Sequence, residues 1–319
     1  MNGTLTDVAG IKVGHYSDLE HGTGVTVVLT EAGAVGGVDV CGTAVGSREF
    51  LTLDPQHSAK VVHGLCLAGG SAFGLAAADG VMKFLEERGI GYQTSVARVP
   101  IIPAAIIFDL AFKDGKVRPD AGMGYQACQN ASAGPVEEGS VGAGTGATVG
   151  KLFGPGWAMK SGVGSASRVA GSGVIVASLA VVNNFGDVLD RKTGRIMAGC
   201  RDPQTGQFLD VARRLAEMKE LPEALLQRGT NLVVVATDAR LSKPQASKVA
   251  RMATAGMDRT LSPAHAAFDG DVTFCLSTGD KPGEVNQIGV LAADAVAEAV
   301  NRAVEKADGL GVLPAWKNR

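Results

Sequence analysis

The sequence predicts a layered α/β fold of the α+β kind, and three observations carry that prediction. Strand-like and helix-like segments alternate in blocks along the chain. The β-rich runs are long enough for two sheets. Apolar residues make up 45% and charged residues 19%, which is ample for a core and gives no case for disorder. The 319 residues are read as a single large domain. Glycine is the outlier, with 44 residues, about 14% where ~7% is usual. Without a Gly-X-Y period, those glycines suit tight turns and close backbone approaches.

Taken in order, 24–30 (GVTVVLT) and 35–44 read as short strands around a glycine turn. Residues 61–67 form an apolar strand that runs into Gly69, Gly70 and Ser71. From Ala72 to Arg88, Leu75, Val81 and Leu85 recur at helical spacing; Ser71 reads as the cap and Gly89 as the stop. A glycine-rich stretch fills 139–150. Strands at 167–170 and 174–182 follow, then a hairpin pairing 187–189 with 195–197 across the turn 190–194. Residues 201–229 are polar, charge-dense and end in glycine, as an exposed linker would. Next come a buried strand at 232–236 (LVVVA), a helix from about Pro244 to Met257, a strand at 272–277 and a long helix from about Glu284 to Ala307.

Several function classes drop out. The net charge of −2 offers no basic excess for nucleic acid. The five cysteines contain no CxxC pair and read as reduced core thiols, so no metal is expected from them. The N-terminus lacks the basic start and apolar run of a signal peptide, and the longest apolar runs fall short of the ~20 residues that span a bilayer. A soluble, cytoplasmic protein is expected. Residues 142–147 (GAGTGA) fit GxGxxA, but no buried strand precedes them. Gly150-Lys151 resembles a Walker ending, yet Leu152 replaces its Ser or Thr. Ser71 lacks GxSxG spacing, and the five histidines form no ligand pair and read as structural.

Four segments can build an amide-cleaving site without histidine. In Gly229-Thr230-Asn231, a hydroxyl follows glycine at a linker-to-core junction. There the Thr230 Oγ can attack the preceding carbonyl, and a freed Thr230 then carries its own amine, of pKa ~7.7–8.0, as base. A threonine that simply starts a strand is the plain alternative. Asp269 and Asp271 flank Gly270 before an apolar strand and can hold the Thr230 ammonium and hydroxyl; a calcium loop or solvated turn are the other readings. Asn183 and Asn184 end a strand and can donate to an oxyanion or form a turn. Lys151 can offset oxyanion charge or be an exposed lysine.

Together the motifs GGSAFGLAAADGV (69–81), GAGTGATVGK (142–151), VNNFGD (182–187), GTNLVVVATDA (229–239) and FDGD (268–271) resemble the P1 peptidases, peptidase family S58. That family includes D-aminopeptidase/esterase, β-aminopeptidases and nylon-oligomer hydrolases, and the resemblance spans nearly the whole chain. It implies a four-layer αββα fold shared with ornithine acetyltransferases and a precursor that cleaves itself into 1–229 (α) and 230–319 (β). It also implies homo-oligomers, often tetramers, and small peptide or amide substrates, with neither cofactor nor metal. Carried over by motif, Thr230 is the nucleophile, Asp269 and Asp271 the acidic pair, Asn183 the asparagine of VNxxG and Lys151 the lysine closing the glycine-rich run. Asn184 would match the other branch's spacing. Thr230 with DGD points to the nylon-hydrolase branch, while Gly229 departs from that branch's Asn before the scissile bond. Acyl transfer in the manner of ornithine acetyltransferase and an uncut binding protein are the rival readings.

Overall fold

The structure, a computed structural model, describes residues 1–220 and 229–318. Nine strands, numbered β1–β9 in chain order, make the main sheet: Lys12–Asp18, Thr23–Val40, Ser47–Arg48, Val62–Ala68, Ala104–Ile106, Val163–Val169, Ile175–Asn183, Thr230–Ala239 and Val272–Lys281. Their order is β6-β7-β8-β9-β2-β4-β5-β3, with β1 paired to β2. The two runs expected at 24–30 and 35–44 are one strand, the 18-residue β2. Its first half pairs with β1 and β4 and its second half with β9. The register shifts between Leu29 and Ala34, beside Gly33 at φ 88°, so the glycine bends the strand where a turn was expected to break it.

That bend folds the sheet into two layers. Val28, Leu65 and Leu67 pack from one layer against Leu179, Val181, Leu232, Val234 and Phe274 of the other. On one outside face, Val25, Val27 and Cys66 meet helices α1 (Ala77–Glu86) and α2 (Ala121–Gln129). A short α3 spans Val211–Glu217. On the other outside face, Val233, Val235 and Cys275 meet α4 (Lys243–Asp258) and α5 (Val285–Lys306). The order is therefore helix, sheet, sheet, helix, the αββα arrangement the resemblance implies. Strand alternation sends even residues of β8 between the sheets and odd residues toward α4 and α5. Some glycines are contact points: a Cβ at Gly80 or Gly124 would lie within 2 Å of the facing helix backbone.

Local chemistry sets the helix ends. The Glu284 carboxylate accepts from Asn286 and Gln287 N–H at the start of α5, and Gly89 closes the end of α1 at φ 66°. The expected helix from Ala72 begins instead as a 3₁₀ turn over Ser71–Ala76. Ser71 does not cap it. The chain leaves β4 through two left-handed residues, Gly70 and Ser71, at φ 77° and 55°, so Gly70 takes the cap position. The hairpin is found with Asp187–Leu189 paired to Ile196–Ala198. The expected linker is partly built in: α3 lies within it, and Val211 and Gly229 are buried. The rest of it, 221–228, lies outside the described residues. Cys66, Cys128, Cys200 and Cys275 are buried and Cys41 half-buried, all as free thiols. Among the described residues no helix is long and apolar enough to cross a membrane.

Candidate active site

Thr230 is the first residue of β8 and Asn183 the last of β7, and the two are directly paired across the antiparallel ladder. Both face the space between the sheets. Thr230 is 3% exposed, and its Oγ1 lies 2.5 Å from the carbonyl oxygen of Gly229, to which it donates. The Gly229 N–H donates to Asp269 Oδ1 at 2.8 Å, and Gly270 N–H approaches the Gly229 oxygen at 3.4 Å. Gly229 has no room for a side chain. A Cβ there would meet Asp269 Oδ1 at 2.4 Å, Phe185 N at 2.6 Å and Asn183 O at 2.8 Å.

The acidic loop is an extension of the β9–β2 ladder. Gly42 N–H donates to Asp271 O and Ala44 N–H to Asp269 O, which fixes the backbone of the FDGD motif. Both carboxyl groups are fully buried. Among the described residues Asp269 Oδ2 has no hydrogen-bond partner, and burial, reinforced by Asp271, pushes its pKa above the carboxylate range. Asp271 lies toward α4, on the opposite face of the sheet from Thr230. Its Oδ1 accepts from the Asn231 backbone N–H at 2.7 Å and from Asn231 Nδ2 at 2.9 Å.

Lys151 is buried, not exposed, and burial pushes its pKa down. Its Nζ donates to Asn183 O and Asn183 Oδ1, both at 2.8 Å. Asn183 Oδ1 also accepts from Thr148 N–H, while its Nδ2 donates to Phe108 O at 3.0 Å. One of the two Nδ2 protons of Asn183 is thus used on Phe108. Asn184 sits behind, donating to Pro263 O and accepting from Asn231 Nδ2. The structure therefore brings Thr230, Gly229, Asn183, Lys151 and Asp269 together, with Asp271 one residue removed through Asn231. A cavity of about 260 Å³ opens at Thr230, lined by Thr43, Ala44, Ser71, Ala72, Ile106 and Phe108.

Sequence reasoning missed several supporting groups. Lys160 is wholly buried, donates to the carbonyls of Gly144, Ala147 and Ser161, and has its pKa lowered to about 7 by burial. It pins the glycine-rich run that carries Thr148 and Lys151. Buried Asp109, raised to about 6, accepts from Thr23 and Gly70. His265 Nδ1 sits 2.8 Å from Asp271 Oδ2.

The family model described as peptidase family S58 matches residues 3–313. The chain belongs to peptidase family S58. Within it, an aminopeptidase of Mycobacterium leprae, named as uncharacterised, is 41% identical over 343 residues, covering 98% of this chain and 93% of that one. The 6-aminohexanoate-oligomer endohydrolase of a Kocuria species is 32% identical over 280 residues, covering 86% and 74%. Among solved structures, the L-aminopeptidase D-Ala-esterase/amidase of Ochrobactrum anthropi matches with a TM-score of 0.73 at 21% identity, over 96% of this chain and 87% of that one. A β-aminopeptidase of a Burkholderia species gives 0.68 at 22%, over 95% and 86%. At those identities the two structures speak for the fold, which in the first is a variant of the Ntn-hydrolase fold.

Proposed function

We propose that this S58 member is a self-processing amide hydrolase with Thr230 as its nucleophile, acting on short peptides or amide oligomers. The observation that carries the reading is the placement of Thr230 Oγ1 against the Gly229 carbonyl, 2.5 Å from its oxygen. In the precursor, Oγ1 attacks the Gly229 carbonyl carbon and the Thr230 nitrogen leaves, giving an ester between Gly229 and Thr230. Water hydrolyses that ester, so residues 1–229 end in a carboxylate and 230–319 begin with a free amine.

The mature site repeats the chemistry on substrate. The α-amine of Thr230 takes the Oγ1 proton as Oγ1 attacks the substrate carbonyl, then gives it to the departing amine. Water resolves the acyl-threonine ester and returns the free enzyme. Asp269, which holds the Gly229 N–H in the uncut chain, orients the new ammonium, and Asp271 holds the start of β8 through Asn231. Lys151, with Asn183 fixed beside it by two hydrogen bonds from Nζ, offsets the oxyanion charge. The chain carries this out as a soluble homo-oligomer, a tetramer of processed αβ units. The test is an acyl-enzyme trap. A slowly deacylated ester substrate should add its acyl mass to the 230–319 fragment at Thr230. Label on another residue, or none during turnover, contradicts the assignment.

A further inference from the structure

We propose that His265 is a positioning residue for the Thr230 site, acting from the opposite face of the sheet through Asp271 and Asn231. The inference rests on the reading of Thr230 as nucleophile. Because side chains alternate along β8, Thr230 faces the inter-sheet space while the adjoining Asn231 faces the side of the sheet that carries α4 and α5. Asn231 is held at four points: its N–H and Nδ2 donate to Asp271 Oδ1, its Nδ2 also donates to Asn184 Oδ1, and its Oδ1 accepts from Asn183 N–H. Whatever fixes Asp271 therefore fixes the backbone from which Thr230 projects.

Asp271 is fully buried, and a buried carboxylate is costly unless it is paired and hydrogen-bonded. Its Oδ2 is taken by His265 Nδ1 at 2.8 Å. The other ring nitrogen, Nε2, lies 3.0 Å from Asp258 Oδ1 at the end of α4, an ion-pair contact and not an aligned hydrogen bond. The charged groups facing the ring are thus Asp271 from the loop entering β9 and Asp258 from α4. Both favour the imidazolium, and the hydrogen bond to Asp271 leads in raising the His265 pKa above 6.5. The backbone of His265 is left-handed, at φ 52°, a conformation that asparagine, aspartate and histidine adopt more readily than other residues bearing a side chain. From that position the ring bridges two carboxylates beneath the nucleophile's strand, tying the end of α4 to the loop that enters β9. Loss of the proton at high pH leaves the buried Asp269–Asp271 pair without this cation and loosens the start of β8.

The test pairs His265→Ala with His265→Asn, since asparagine tolerates the left-handed backbone and offers Asp271 an uncharged donor. The alanine variant should lower kcat at least tenfold with KM within about twofold. The asparagine variant should recover most of kcat at neutral pH and lose the alkaline limb that His265 gives the wild type. NMR titration of His265 in Thr230→Ala should give a pKa above 6.5 that drops when Asp271→Asn is added. Wild-type kcat and pH profile in both His265 variants, or a His265 pKa at or below 6.5, overturns the proposal. If the alanine variant fails to fold, the pH profile of the asparagine variant decides. An active Thr230→Ala chain would instead sink the nucleophile reading, whatever His265 does.

Discussion

Asn183 stands opposite Thr230 across the β7–β8 ladder, and its two oxygens are bound by the single ammonium of Lys151. The buried lysine thus ties the glycine-rich run to the strand pair that carries Thr230. Lys151→Met keeps the bulk and removes the charge. It should cut kcat by about 10²-fold or more, the usual scale for losing an oxyanion-stabilising group. Steady-state kinetics beside a thermal melt checks this; a loss of only a few-fold in a folded protein would contradict it.

Gly229→Ala should impair processing. Its new Cβ would press on Asp269 Oδ1, Phe185 N and Asn183 O, all within 2.8 Å, and so displace the carbonyl from Thr230 Oγ1. Self-cleavage should slow by about tenfold or more, a modest misplacement being enough for such a loss. A gel time course on freshly made protein reads the rate, and processing at the wild-type rate would refute the steric account.

Much of this was legible in the sequence where local pattern and core burial agree. The run LVVVA announced the buried β8, and the spacing of Leu75, Val81 and Leu85 announced the helix that begins properly at Ala77. The length of β2 was hidden because Gly33 reads as a breaker, and only pairing with two different sets of strands reveals it as a bend. Ser71 looked like a cap because serine at a strand-to-helix junction usually is one; two successive left-handed residues there have no sequence signature. At the site, Thr230, Asp269 and Asp271 stood out through their motif. Lys160 and His265 did not, since a lone Lys or His carries no sign of which distant carbonyls or carboxylates will surround it.

The cavity beside Thr230 supplies a prediction that separates turnover from processing. Ala72 lines it and is exposed, so Ala72→Trp adds bulk without disturbing the core. KM for an amide substrate should rise about tenfold, the scale of a lost pocket contact, while self-cleavage is unchanged because Gly229 is already in place. Kinetics and intact mass on the same sample check both halves. An unchanged KM would place substrate elsewhere.

Asp187 gives a stability prediction. Its buried carboxyl accepts from Cys200 N–H and Val211 N–H and anchors the start of α3, and burial raises its pKa from 3.8 to about 7. An acid with a raised folded pKa favours the native state at low pH, and that contribution is lost as pH climbs from 3.8 through 7. Asp187→Asn cannot titrate. It should lower Tm at pH 4 and show a flatter fall of Tm between pH 4 and 7. Parallel Tm-against-pH curves for the two proteins would contradict the assignment.

Intact mass under denaturing conditions, with N-terminal sequencing of the smaller product, tests the account at its centre. The 32.5 kDa chain should resolve into co-purifying fragments of about 23 and about 9 kDa, the smaller beginning Thr-Asn-Leu-Val. Thr230→Ala should remain one inactive chain, and Thr230→Ser should still divide, because serine keeps the attacking hydroxyl and frees an amine. A different N-terminus, or full amidase activity from an undivided chain, would contradict the mechanism, since the α-amine base would then not exist.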